Sequence, residues 1–148
     1  MSASRIAWVT LAVLVAASAT RMRAQSMSEF VGTWYSETKE NAVVFGKPYD
    51  MRRELLNNRS DGTKTNTNRF YLAGEVVAEA VATYVWGVER DVYWTTCQTS
   101  IANGRASVCS TRNEYDIISV GSREIRYRSR TSGTTYSMIR VANDFRLP

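Results

Sequence analysis

Residues 49–89 read YDMRRELLNNRSDGTKTNTNRFYLAGEVVAEAVATYVWGVE. Four extended stretches lie in this run, 49–57, 63–72, 75–82 and 83–89. They are separated by Ser60-Asp61-Gly62, a strong hairpin signal, and by Ala73-Gly74. Glu75 to Ala82 has the composition of a short helix, but its flanks are rich in β-branched and aromatic residues and set the reading as strand. No segment from Phe30 onward sustains a 3.6-residue apolar period over ten residues.

The same rhythm continues outward. Upstream, 30–36 reads as a first strand and 39–47 as irregular chain or one helical turn. Downstream, 92–101, 105–112, 115–120, 124–130 and 134–141 read as strands. Their turns carry Arg90-Asp91, Asn103-Gly104, Gly121-Ser122 and Ser132-Gly133. Eight to ten short strands joined by tight hairpins predict an all-β, antiparallel up-and-down meander. A meander of that length leaves exposed edges unless it closes, so a β-barrel is the expected fold. A two-sheet sandwich would need longer crossovers, for which 39–47 is the one candidate.

The first 25 residues have a different character. Arg5 precedes a 12-residue apolar run from Ile6 to Ala17, followed by Ala17-Ser18-Ala19. A positive start, a short apolar stretch and small residues at −3 and −1 form a secretory signal peptide. The run is short of the ~20 apolar residues a spanning helix needs, so no stable membrane insertion is expected after cleavage. The expected organisation is a signal peptide over 1–19, a flexible leader over 20–29 and one barrel domain over 30–148, in a secreted protein, extracellular or periplasmic.

Export gives meaning to Cys97 and Cys109, because a pair of cysteines in an oxidising compartment is expected to be bridged. A three-residue loop of Ala102, Asn103 and Gly104 would set Cys97 directly opposite Cys109. A two-residue loop would shift the register by one and separate them.

Composition excludes more chemistry than it suggests. The 148 residues contain no histidine, which removes His-based acid/base catalysis, Ser-His-Asp triads and His-ligated metal. The acidic residues Glu37, Glu40, Asp50, Glu54, Glu75 and Glu79 have no spacing that compels a catalytic pair, and no metal cluster is visible. The expectation is a non-enzyme with no cofactor. The net charge of +5 is spread along the chain, with a local concentration at Arg123, Arg126, Arg128 and Arg130 that reads as a solvated strand face rather than a nucleic-acid patch.

Binding is the better class. Strand parity puts Tyr84 with Trp86, Tyr93 with Thr95, Tyr127 with Ile125, and Tyr136 with Met138 and Arg140. If Tyr84, Trp86, Tyr93, Tyr127 and Tyr136 point inward, they either line an apolar cavity with a few hydroxyl handles or fill it. The first case implies a small hydrophobic or amphipathic ligand. The second implies a secreted interaction or inhibitor module with a protein partner, for which the arginine strand and Asn57-Asn58-Arg59-Ser60-Asp61 are candidate contact surfaces. Asn58-Arg59-Ser60 also matches the N-glycosylation pattern.

Phe30-Val31-Gly32-Thr33-Trp34-Tyr35 carries a G-x-W motif at the start of the first strand, and Tyr136-Ser137-Met138-Ile139-Arg140-Val141 carries an arginine near the end of the last. Together they resemble the lipocalin and fatty-acid-binding (calycin) superfamily, as small secreted lipocalin-like domains. Asp61-Gly62-Thr63 and Trp86-Gly87-Val88 fit the hairpins of such domains. The resemblance implies an up-and-down barrel in which Arg140 packs across Trp34 as a structural pair, and a ligand inside. The Arg-x-Tyr carboxylate anchor of the fatty-acid binders has no counterpart, since Val141 and Ala142 follow Arg140.

Overall fold

The computed structural model describes residues 26–148. The expected signal peptide and most of the leader lie outside the described residues. A helical turn, α1 (Met27–Phe30), is followed by nine strands: β1 (Gly32–Val44), β2 (Lys47–Asn58), β3 (Thr63–Leu72), β4 (Glu75–Glu89), β5 (Val92–Ala102), β6 (Arg105–Val108), β7 (Arg112–Val120), β8 (Glu124–Ser129) and β9 (Thr135–Val141).

Eight of them form a closed antiparallel meander barrel, with β6 as an extra strand laid on β5. The barrel closes where β1 meets β9 through Thr33–Val141, Trp34–Arg140 and Tyr35–Ile139. Residues 92–96 of β5 pair with β7, whereas 99–102 pair with β6, so β5 forks at about Cys97. β1 to β5 are long and β7 to β9 short. The barrel is therefore cut obliquely, and the upper halves of β1 to β5 stand above the seam.

Three details depart from the sequence reading. Residues 75–82 and 83–89 are one continuous strand, β4, rather than two. Residues 39–47 are not irregular: β1 continues to Val44 with a bulge between Lys39 and Ala42, and Val44 pairs directly with Lys47. The turn is Phe45-Gly46, both at positive φ (49° and 76°), which suits the right-handed twist of a two-residue hairpin; the glycine supplies the cheap half of that conformation. Residues 26–29, expected in a flexible leader, are the N-cap Ser26 and the first three residues of α1, whose last residue, Phe30, is fully buried at the closed end.

The disulfide Cys97–Cys109 is present, with Cα atoms 5.3 Å apart, but by a different route than expected. Ala102 pairs with Arg105, so the loop is the two-residue Asn103-Gly104 and the three-residue register is wrong. Pairing ends at Val108. Cys109 then donates its N–H to Gln98 O, and Cys97 donates to Thr111 O, so the cysteines meet where the chain leaves β6 for β7.

The apolar core fills the narrow end. Phe30, Trp34, Leu56, Trp86, Tyr93, Ile125, Tyr127 and Met138 form one buried cluster. Phe30 O accepts hydrogen bonds from Trp34 Nε1 (2.9 Å) and Asn58 Nδ2 (3.1 Å), so the indole N–H and the amide N–H are paired on burial, while Asn58 Oδ1 is buried without a partner. Asn58 is 2% exposed, which makes the Asn58-Arg59-Ser60 pattern a chance match rather than a glycan acceptor. A smaller cluster of Tyr49, Phe70 and Ala78 packs the wider end.

Candidate functional site: a polar cavity inside the barrel

The strand parity that points Tyr127 and Tyr136 inward does the same for a series of polar residues on β2 and β3. Asp61-Gly62 sets the register of that hairpin and pairs Glu54 with Asn68, Leu56 with Asn66 and Asn58 with Lys64. All of these face the interior, because Glu54, Leu56, Asn58 and Lys64 are all buried. Across β4, Lys64 is the partner of Tyr84.

Above the apolar core these side chains enclose a cavity of about 220 Å³, lined by Arg52, Glu54, Lys64, Asn66, Asn68, Phe70, Tyr84, Thr95, Tyr115, Tyr127 and Tyr136. At ~30 Å³ per water it has room for about seven waters or one single-ring organic molecule. Of the five aromatic residues expected to line a cavity, Tyr84, Tyr127 and Tyr136 do so. Trp86 and Tyr93 sit lower, in the core cluster. Trp86 Nε1 donates to Thr63 O (2.8 Å), and Tyr93 stacks on Phe30 with ring centres 5.2 Å apart.

One wall is a tyrosine cluster. Ring centres are 5.3 Å apart for Tyr93–Tyr127, 5.2 Å for Tyr115–Tyr127 and 5.4 Å for Tyr127–Tyr136. Burial pushes the Tyr93, Tyr115 and Tyr127 phenols far above their ordinary value, so all three are neutral hydroxyls at any physiological pH.

The opposite wall is charged. Lys64 is 5% exposed and donates from Nζ to Tyr93 Oη at 2.9 Å. Its ammonium also lies 5.2 Å from the Tyr84 ring centre. Among the described residues it makes no other hydrogen bond and no ion pair. Two of its three N–H groups are thus unused. Burial lowers the amine from its ordinary 10.5 to about 8, against a smaller upward pull from Glu54. Glu54 accepts from Asn66 Nδ2 (2.8 Å), and Asn66 Oδ1 accepts from Asn68 Nδ2 (3.2 Å). Asn68 Oδ1 is buried without a partner. The cavity therefore holds both spare donors at Lys64 and a spare acceptor at Asn68, between aromatic faces.

That balance differs from the expected apolar cavity with a few hydroxyl handles. Sequence reasoning passed over Lys64, Glu54, Asn66, Asn68 and Tyr115. The signal was present in the alternation Lys64-x-Asn66-x-Asn68-x-Phe70, whose last member is a core residue.

At the rim, Arg52 lies 3.6 Å from Glu40, which also accepts from Tyr49 Oη at 2.8 Å. Glu37 pairs outside with Arg53 and Glu79 with Arg69. On the arginine strand, Arg126 and Arg128 are exposed, while Arg130 pairs with Asp116 (2.8 Å) and Glu114 (3.3 Å). Among the described residues, no three of His, Cys, Asp or Glu converge on a point that could hold a metal ion, and no helix is long and apolar enough to cross a membrane.

No family model, curated protein or solved structure matches the chain. Its class rests on the fold and the site: a disulfide-bonded, eight-stranded antiparallel barrel, solid at one end and enclosing a polar, tyrosine-walled cavity at the other.

Proposed function

We propose that this protein is an exported, lipocalin-like binder of a small amphipathic molecule, held inside the barrel without chemical turnover of the ligand. The observation that carries the reading is the unused hydrogen-bonding capacity of Lys64 and Asn68 in a cavity the side chains leave open. A buried donor or acceptor left unsatisfied costs roughly 1–3 kcal/mol. A ligand presenting an acceptor to Lys64 and a donor to Asn68 recovers that cost and stacks its apolar part on the tyrosines. The volume lies below the ~300 Å³ where drug-sized sites begin, which argues for a one-ring ligand over a long acyl chain. The bridged cysteines are compatible with export.

The alternative, a secreted interaction module with a filled core, draws on one feature. Val43, Phe45, Leu72 and Val76 are exposed around two hairpin turns at the wide end. The open interior favours the first reading.

Native mass spectrometry of the protein isolated from its own host, without a denaturing step, tests it. A bound small molecule released on unfolding supports the proposal. A bare polypeptide mass overturns it if no thermal stabilisation appears across a panel of single-ring phenols, acids and aldehydes.

A further inference from the structure

Lys64 differs from the other two lysines in every respect that matters to amine chemistry. Lys39 and Lys47 are exposed on β1 and β2, and Lys47 Nζ donates to Val77 O. Lys64 is enclosed, faces the cavity, and is held at one point only, by the Tyr93 hydroxyl. Among the described residues no carboxylate pairs with it directly, and Glu54 in the same cavity exerts only a smaller upward pull than burial exerts downward. Burying an ammonium without a counter-ion is costly, and the usual outcome is an amine that gives up its proton. A neutral, enclosed amine with a free lone pair is a nucleophile, and the walls around it (Tyr84, Tyr115, Tyr127 and Tyr136) suit an aromatic ring.

We propose that Lys64 is a covalent capture site for carbonyl compounds, and that the cavity takes a one-ring aromatic aldehyde as an imine on Lys64 Nζ. The inference rests on the binding reading above and specifies its ligand class. The Nζ lone pair attacks the carbonyl carbon, forming the C–N bond as the C=O π pair moves onto oxygen. That oxygen takes a proton, and nitrogen loses one, giving a neutral carbinolamine. The hydroxyl then leaves as water with a second proton, the nitrogen lone pair closes the C=N bond, and nitrogen gives up its remaining proton to replace the one spent. One water is released and nothing is oxidised or reduced. Tyr93 Oη, which accepts from Nζ, holds the amine at the cavity wall, and water in the cavity can carry these protons. The amine's fall to about 8 makes the neutral form abundant at mildly alkaline pH. A ring hydroxyl or amide on the ligand would meet the unpartnered Asn68 Oδ1.

The test is reductive trapping at pH 8 with 4-hydroxybenzaldehyde and cyanoborohydride, which fixes an imine as a secondary amine. Peptide mapping then separates Lys39, Lys47, Lys64 and the terminal amine. The expected result is labelling of Lys64, the lysine that faces the cavity, about tenfold or more faster than either other lysine. Equal or slower labelling of Lys64 overturns the proposal. Non-covalent binding of 4-hydroxybenzyl alcohol, followed by thermal shift, separates the two levels. Alcohol and aldehyde stabilising the protein equally, with Lys64 unlabelled, removes the covalent step and leaves the binding reading standing. Neither compound binding or labelling removes the capture site altogether. Lys64→Met is expected to abolish the fast label. Should that variant fail to fold, the Lys39→Arg/Lys47→Arg protein, with Lys64 as its sole lysine, keeps the measurement decisive: it must label at the unaltered rate.

Discussion

The guanidinium carbon of Arg140 sits 4.1 Å from the centre of the Trp34 ring, and the two residues are direct partners across the β1–β9 seam that closes the barrel. The same guanidinium donates to Val31 O (2.8 Å), Glu29 O (3.2 Å) and Ser122 O (2.8 Å), tying the turn before β1 to the β7–β8 connection. Gly32 makes the arrangement feasible: it has φ of 134°, and a Cβ there would lie 2.3 Å from Arg140 Nη1. The G-x-W motif and the distant arginine are thus one structural device.

Arg140→Lys keeps the charge but loses the fork and most of the stacking. A cation–π contact is worth ~0.5–2 kcal/mol, and each carbonyl left unpaired adds up to about 1 kcal/mol where water does not replace the donor. The expected loss is roughly 2–3 kcal/mol in urea unfolding, with Trp34 fluorescence shifted to the red. A loss under about 0.5 kcal/mol contradicts the seam as described.

Gly87→Ala tests packing without backbone strain. A Cβ at Gly87 would lie 2.7 Å from Trp94 Cζ2, and Trp94 is itself covered by Arg112, 4.5 Å from its ring centre. Displacing that stack is expected to cost about 1–3 kcal/mol. Gly121→Ala, whose Cβ would meet only Glu124 O at 3.5 Å, serves as the mild control. Equal midpoints for the two variants in chemical denaturation would contradict the account.

The bridge closes a loop with a sequence separation of 12. Chain entropy alone assigns it about 3 kcal/mol. Cys97→Ser/Cys109→Ser should therefore lower the unfolding free energy by about that amount, and reductant should leave the double variant unaffected while bringing the wild type down to meet it. The loss is expected at the β5 fork first, seen as faster amide exchange over 97–111.

Lys64 gives stability an uncommon pH dependence. Its folded-state pKa, about 8, lies below the unfolded value near 10.5, so between these limits the unfolded chain binds more protons and stability rises with pH. Below about pH 8 both states are protonated and the full burial cost, on the order of 3 kcal/mol, is present. The groups around it are Glu54, Tyr84, Tyr93, Tyr115, Tyr127 and Tyr136. Burial raises the phenols of Tyr84, Tyr93, Tyr115 and Tyr127, so above about pH 10 their ionisation in the unfolded chain pulls stability down again. Wild type should gain stability from pH 8 towards 10, whereas Lys64→Met should not. Parallel curves in that window would refute the assignment.

The strands and turns were legible because each is decided locally. Asp61-Gly62, Ala73-Gly74 and the β-branched runs beside them need no partner to be read, and the Tyr127 and Tyr136 parity follows from counting by twos. What was missed depended on register. The Cys97–Cys109 bridge was inferred through a three-residue loop, but the loop has two residues and the bridge forms because the chain breaks pairing after Val108. Residues 39–47 were unreadable because a phenylalanine at positive φ carries no turn signal. Lys64, Glu54 and Asn68 were passed over for a deeper reason. Polar residues on a strand are assigned to the solvent side by default, and only the β2–β3 register shows that here they face inward. The residues of the candidate site are the ones that break the pattern from which the fold is read.

The oblique cut of the barrel has an evolutionary corollary. The seam and plug at the narrow end hold the architecture together, while the overhanging halves of β1 to β5 shape the entrance and touch neither. Under the proposed binding function, exposed substitutions along that overhang, outside the Tyr49, Phe70 and Ala78 cluster, would alter which molecules enter while leaving the frame intact.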